Sequence, residues 1–180
     1  TAVHGKWVPV PYEDFLKHVA KKFPFMPFIA EDLGVITPDV TAARNELGLP
    51  GMKILLFAFD GDLKTHPYLP ENFTEDCVVY TGTHDNNTVR GWFEEDVSES
   101  TRENLFKYFG RPVEAEEISG LFVKMAMMSR ADTAIIPMQD ILGLGSPARM
   151  NRPATAQGNW QWRLSPEAVS PRVEKKLLEI

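Results

Sequence analysis

Cys77-Val78-Val79-Tyr80-Thr81-Gly82-Thr83-His84-Asp85-Asn86-Asn87 is the stretch on which the fold turns. A short apolar, β-prone run passes without helical spacing into a glycine and five polar side chains. A run of this length, bounded by turn formers, reads as a buried strand rather than a helix. Gly82 lets the backbone turn sharply beside the polar cluster. Gathering Thr83, His84, Asp85, Asn86 and Asn87 at the end of a buried strand is expensive unless they bind or react, because buried charge must be paired.

Three further runs read the same way. Phe28-Ile29-Ala30 ends at Glu31-Asp32, Met52 to Phe59 ends at Asp60, and Thr133 to Met138 ends at Gln139-Asp140. Helices separate several of them. Thr37 reads as an N-cap with Pro38 at the first helical position and Gly48 closing the helix. Ser98 or Ser100 caps a second helix, which carries Leu105, Phe106 and Phe109 and stops at Gly110-Arg111-Pro112. Glu114 to Arg130 places Ile118, Leu121, Phe122, Met125 and Met128 on one stripe, with the methionines read as core filling rather than as a metal or cofactor site. A last helix begins at about Pro166. Strand followed by helix, repeated, predicts a parallel sheet with helices on its faces. Each run ends in a carboxylate, and barrels of this kind carry their reactive groups at the C-terminal ends of strands. The expected class is therefore α/β: the C-terminal portion of a (β/α)8 TIM barrel, about four of its eight strands. Residues 1–180 would form a single partial domain; a small doubly wound domain is the competing architecture.

Composition narrows the function. Hydrophobic residues make up 43% and charged residues 24% of 180, the balance of a globular protein. A net charge of −6 argues against nucleic acid, whose phosphates need a basic face. Ile54 to Phe59, the longest wholly apolar run, falls far short of the roughly 20 residues a bilayer requires, so no membrane association is expected. A single cysteine, Cys77, fits a reducing compartment. With no export leader in view, the cytoplasm is the expected location; a plastid is left open, because a transit peptide would lie upstream.

The polar cluster suits two chemistries. A His84-Asp85 pair with a nearby carboxylate such as Glu31 would suit a divalent metal in a barrel hydrolase. Two carboxylates with hydrogen-bonding neighbours would instead act on a glycosidic bond, one as acid/base and one stabilising charge. No HExxH and no paired-cysteine spacing supports the metal. Glu31 and Asp32 point to opposite faces if both lie on a strand, so one faces the mouth and the other anchors a loop. Asp32, Asp60 and Asp62 also read as turn and cap residues. Trp7, Trp92, Trp160, Trp162, Tyr68 and Phe57 offer flat faces for sugar rings, although Trp92 reads as core. Trp160 and Trp162 belong to a long polar loop, Met150 to Arg163, that follows the fourth run.

Several segments now assemble into a known pattern. Ile29-Ala30-Glu31-Asp32-Leu33-Gly34-Val35-Ile36-Thr37-Pro38, then Gly48-Leu49-Pro50-Gly51-Met52-Lys53, then Tyr80-Thr81-Gly82-Thr83-His84-Asp85-Asn86 resemble consecutive signatures of the amylomaltases, or disproportionating enzymes. The opening Thr1 to Val8 and the Gly158-Asn159-Trp160 loop also look like family segments, so the likeness runs through nearly the whole chain. It implies a decorated (β/α)8 barrel and transfer of alpha-1,4-glucan segments between maltooligosaccharide or starch-derived chains. It implies no cofactor and no metal. Carried over motif by motif, Glu31 is the general acid/base and Asp85 braces the distorted sugar at the cleavage point. His84 bonds that sugar's hydroxyls, and Phe57 lines an acceptor subsite. Asp32, Asn86 and Trp160 are further substrate-binding candidates, with Asn151 and Asn159 as alternatives between which the sequence does not choose.

One departure matters. The family's nucleophilic aspartate sits in an Arg-x-Asp motif on an earlier strand, and this chain has no matching segment; Arg130-Ala131-Asp132 precedes a strand instead of ending one. The N-terminal half of the barrel is therefore an expected partner, and the chain alone is expected to be inactive. Ala154 stands where the resemblance implies glycine in many relatives. A non-catalytic sugar-binding or self-associating half-barrel remains the alternative, since open sheet edges invite association.

Overall fold

The computed structural model describes every residue except 1, 7, 9, 24 and 26. Trp7, and with it part of the opening motif, lies outside the described residues. Helix α1 (Tyr12–Lys22), which the sequence reading missed, and α2 (Pro38–Glu46) lead to strand β1 (Gly51–Ile54). Strand β2 (Cys77–Tyr80) is followed by α3 (Val89–Gly91), which widens into a π-turn over Trp92–Asp96, and then by α4 (Glu99–Phe109) and α5 (Ala115–Met127). Strand β3 (Thr133–Ile135), α6 (Met138–Ile141) and α7 (Pro171–Leu178) complete the order. The three strands form one parallel sheet, ordered β1-β2-β3, with Gly51 opposite Cys77 and Val78 opposite Thr133. The architecture is thus α/β with a small parallel sheet, as expected.

Among the described residues the strands number three rather than the expected four. Phe28 to Ala30 forms no strand: its one ladder-like contact is the Ala30 N–H donating to the Pro50 carbonyl at 2.9 Å. In a parallel ladder the returning bond would come from the Met52 N–H, but that group donates to the Asp32 carboxylate at 2.7 Å, so pairing does not propagate. Met52 to Phe59 also breaks in two, because the chain leaves the sheet after Ile54 and coils into a 3-10 turn at Leu55–Phe57. Thr133 to Met138 stops short at Pro137, which caps α6.

The core lies between the sheet and the helices that follow β2. Ile54, Leu55, Phe59, Val79, Val89, Leu105, Ile118 and Phe122 are fully buried. Phe59 packs its ring 5.5 Å from Tyr108 and 5.7 Å from Phe122. Each such side chain contributes about 1.5–3 kcal/mol on burial. Trp92 joins this core, 5.7 Å from Phe122. The methionine stripe is only partly core: Met125 packs against it, whereas Met127 and Met128 are exposed at the C-terminal end of α5. Helices α1 and α2 bury no residue at all. Among the described residues, no helix is long and apolar enough to cross a membrane.

Candidate active site

The C-terminal ends of β1 and β2, the turn after β3 and the segment around Glu31 open into one cleft of ≈ 910 Å³. Each element delivers its residue for a local reason. The 3-10 turn after β1 swings Phe57 out of the core, leaving it 37% exposed. After β2 the chain turns at Gly82, where a Cβ would press on Leu56, and the polar cluster stands clear of the sheet. The turn is then fixed by Asn86, whose Oδ1 accepts from the Thr83 N–H at 2.8 Å and the Thr83 hydroxyl at 2.9 Å. Glu31 lines the same cleft and lies close enough to Tyr80 that its charge, after burial, pushes the Tyr80 phenol up.

Asp85 is the most organised carboxylate in the cleft. Its Oδ1 accepts from Asn151 Nδ2 at 2.6 Å, and His84 Nε2 stands 3.3 Å away. Between Asn151 and Asn159, it is Asn151 that the structure brings to Asp85. Asn159 is spent within its own loop: its Oδ1 accepts from the Arg152 N–H at 2.9 Å and its Nδ2 donates to Thr155. The Trp160 ring lies 5.2 Å from the His84 ring and is half exposed. Its backbone is left-handed, φ +61°, held by a 2.7 Å bond from its N–H to the Met150 carbonyl. A bulky residue in that region costs about 1–3 kcal/mol, and such strain clusters where a side chain must be aimed.

Aromatic side chains wall the cleft beyond Glu31. Phe57 meets Tyr68 edge-on at 5.6 Å. Beside them Asp60 Oδ1 bonds His66 Nε2 at 2.7 Å, a pair whose histidine the sequence reading missed. Nothing in Asp60-Gly61-Asp62-Leu63-Lys64-Thr65-His66 signals that pairing except the turn former Asp62, which accepts from the Lys64 N–H and the Thr65 hydroxyl. Arg149 was missed as well, and it contacts the backbone at Asp85.

Other expected residues do not face the cleft. Asp32 turns away: one oxygen accepts from the Met52 N–H at 2.7 Å and the other pairs with Arg44. Gly51 packs so tightly on this pair that a Cβ would strike both side chains. Asp140 is 1% exposed, accepting from the Thr81 hydroxyl at 2.5 Å and the Val89 N–H at 2.8 Å. Burial pushes its carboxyl up, against the pull of those two bonds. Among the described residues no three of His, Cys, Asp or Glu are grouped so as to hold a metal ion; His84 and Asp85 gain no third donor.

A parallel α/β sheet whose strand ends present carboxylates to one cleft has the arrangement of an enzyme site. The family model of the 4-alpha-glucanotransferases, glycoside hydrolase family 77, matches residues 1–169, and the chain belongs to that family. The 4-alpha-glucanotransferase of Synechocystis is 48% identical over 172 residues, which are 94% of this chain and 34% of that protein. The Thermus thermophilus 4-alpha-glucanotransferase is 45% identical over 179 residues, 95% of this chain and 35% of that one. Among solved structures, the amylomaltase of Streptococcus agalactiae in complex with acarbose is similar at a TM-score of 0.90 and 34% identity, over 99% of this chain and 36% of that chain. The chain thus spans about a third of the length of the curated relatives it matches.

Proposed function

We propose that this chain is the C-terminal half of a (β/α)8 catalytic barrel, and that the protein it completes is a retaining 4-alpha-glucanotransferase acting on maltooligosaccharides. One observation carries the reading: Glu31 and the His84–Asp85 pair open into a single cleft walled by Phe57 and Tyr68. Retention of the alpha configuration takes two displacements. A carboxylate supplied by the rest of the barrel attacks the anomeric carbon while Glu31 gives its proton to the departing glycosidic oxygen. The shortened chain leaves, and a covalent glycosyl intermediate remains. Glu31, now a carboxylate, takes the proton from an acceptor sugar hydroxyl, whose oxygen attacks the anomeric carbon and releases the nucleophile. Asp85 stays charged opposite the oxocarbenium-like transition state, and the Asn151 amide fixes the direction in which its lone pairs point. His84 bonds hydroxyls of the same sugar.

Transfer rather than hydrolysis follows when the acceptor site holds a sugar and sheds water. Phe57 and Tyr68 offer the flat apolar faces for that task. The Streptococcus agalactiae relative was solved with acarbose, and an oligosaccharide of that kind is the ligand proposed for this cleft. The test is maltotriose disproportionation by the full-length protein, with Glu31→Gln and the 180-residue chain assayed beside it. Glucose and longer maltooligosaccharides from the wild type alone are expected. Equal turnover by Glu31→Gln would overturn the catalytic assignment, and turnover by the isolated chain would overturn the need for an outside nucleophile.

A further inference from the structure

The loop after β2 and the loop after β3 are tied together by one guanidinium. Arg149 donates from Nη2 to the Asp85 carbonyl at 2.7 Å and from Nε to the Asn151 carbonyl at 2.8 Å. The Asn151 N–H donates back to the His84 carbonyl at 3.1 Å. These three bonds fix Asn151 relative to Asp85, and the side-chain amide of Asn151 then meets Asp85 Oδ1 at 2.6 Å. Beneath the two loops lies a small cavity of ≈ 120 Å³, bordered by Asn87, Gln139, Asp140 and Arg149. Trp160, bonded through its N–H to Met150, leans on His84 from the same loop.

We propose that Arg149 is a positioning residue for transition-state stabilisation: by bridging the Asp85 and Asn151 carbonyls it sets the Asp85 carboxylate where the sugar's positive charge develops. The proposal rests on the reading of Asp85 as the stabilising carboxylate. Arginine suits the task because its fork is planar, permanently charged and presents Nε and Nη2 in fixed directions, whereas a lysine ammonium is a single point on a flexible stem. Arg149 does not line the cleft, so its loss is expected to fall on the transition state and to leave ground-state binding in place.

The experiment measures maltotriose disproportionation by the full-length protein carrying Arg149→Ala, Arg149→Lys, Asn151→Ala and Asp85→Asn, each checked for a cooperative thermal transition. Arg149→Ala is expected to lower kcat by roughly 100-fold with KM little changed, the scale of loss that follows a misplacement of about 1 Å. Guanidinium ion added at millimolar concentration is expected to restore part of that kcat in Arg149→Ala and none in Asn151→Ala. Arg149→Lys is expected to lose roughly tenfold in kcat, because one ammonium replaces the fork. A folded Arg149→Ala with wild-type kcat, or a loss confined to KM, would overturn the proposal. Failure of guanidinium to restore a folded Arg149→Ala would also overturn it. If Arg149→Ala does not fold, Arg149→Lys decides: full kcat overturns the clamp, and reduced kcat at unchanged KM supports it. Wild-type activity in Asp85→Asn would instead overturn the reading of the site on which the proposal stands.

Discussion

Asp85 and Asp140 both end apolar runs, and their surroundings give them opposite work. Asp85 is half exposed and open to the cleft, whereas Asp140 is buried and spends both oxygens on Thr81 and the Val89 N–H. Asp140→Ala leaves that buried N–H and hydroxyl unpaired and is expected to cost about 2–3 kcal/mol, read from thermal or denaturant unfolding. Asp140→Asn keeps an acceptor for Val89 and a donor for Thr81, so its cost is smaller. The pH dependence has a definite sign. Burial raises the Asp140 carboxyl above its ordinary value, so its contribution is greatest below the unfolded pKa and falls as pH rises through the folded one. Asp140→Asn should flatten that fall in the unfolding midpoint as pH rises out of the ordinary carboxylate range; an unaltered slope would show that the carboxyl is not the source. Ala154 raises a separate question. Its φ of +62° lies where an L side chain costs roughly 1 kcal/mol, while glycine is unstrained. Ala154→Gly loses part of that gain to the freer unfolded chain. A net stabilisation of about 0.5 kcal/mol is expected, as a small rise in Tm.

At the scale of elements, helix ends were legible because their chemistry is local. Ser98, one of the two caps the sequence offers, closes the start of α4 by accepting from the Thr101 N–H at 3.1 Å, and Gly110 ends it at φ +69° as the sequence reads. The N-terminus of α5 is fixed by Glu117, whose carboxylate accepts from the Glu114 N–H at 3.0 Å and pairs with Arg111. Arg111 holds the Glu117 carboxyl down at about 2. For a lowered acid the stabilisation is full above the unfolded value and is lost only as pH falls through the folded one. Glu117→Gln is therefore expected to weaken the fold at pH 5 and to converge with the wild type near pH 2, followed by circular dichroism. Strands were less legible, since a ladder needs a partner's N–H as well as an apolar run. Phe28 to Ala30 lacks that donor, because the Met52 N–H is taken by the Asp32 carboxylate. The site itself was read in its residue types but not in its wiring. Arg149 and Asn151 reach Asp85 from 64 and 66 residues away, and no local pattern announces a bond of that span. Likewise Asn159 carried a family motif but is spent on its own loop, and Asp32 went to Arg44.

At the scale of the molecule, a well-buried core coexists with apolar surface that the chain does not cover. Phe25 is 87% exposed, Phe15 65%, Ile29 46% and Ile135 41%. Ile135 lies on β3, an edge of the sheet, and Ile29 precedes Ala30, whose N–H meets the Pro50 carbonyl just before β1. An open parallel edge beside uncovered apolar side chains is a template for pairing with another chain. The net charge of −6 opposes that pairing, and salt screens the repulsion over about 10 Å at 0.1 M. The isolated chain is therefore expected to sediment as a monomer at low salt and concentration and to shift to larger species as either rises. Charged substitutions at the two uncovered positions separate the causes. Ile29→Lys and Ile135→Lys together should suppress the shift, whereas neither touches the buried set around Phe59 and Phe122, so the thermal transition should survive. A wild-type chain that stays monomeric at high salt would overturn the expectation that the open edge drives association. A double variant that associates as before would place the contact on another face, with α1 and its exposed Phe15 the next to test.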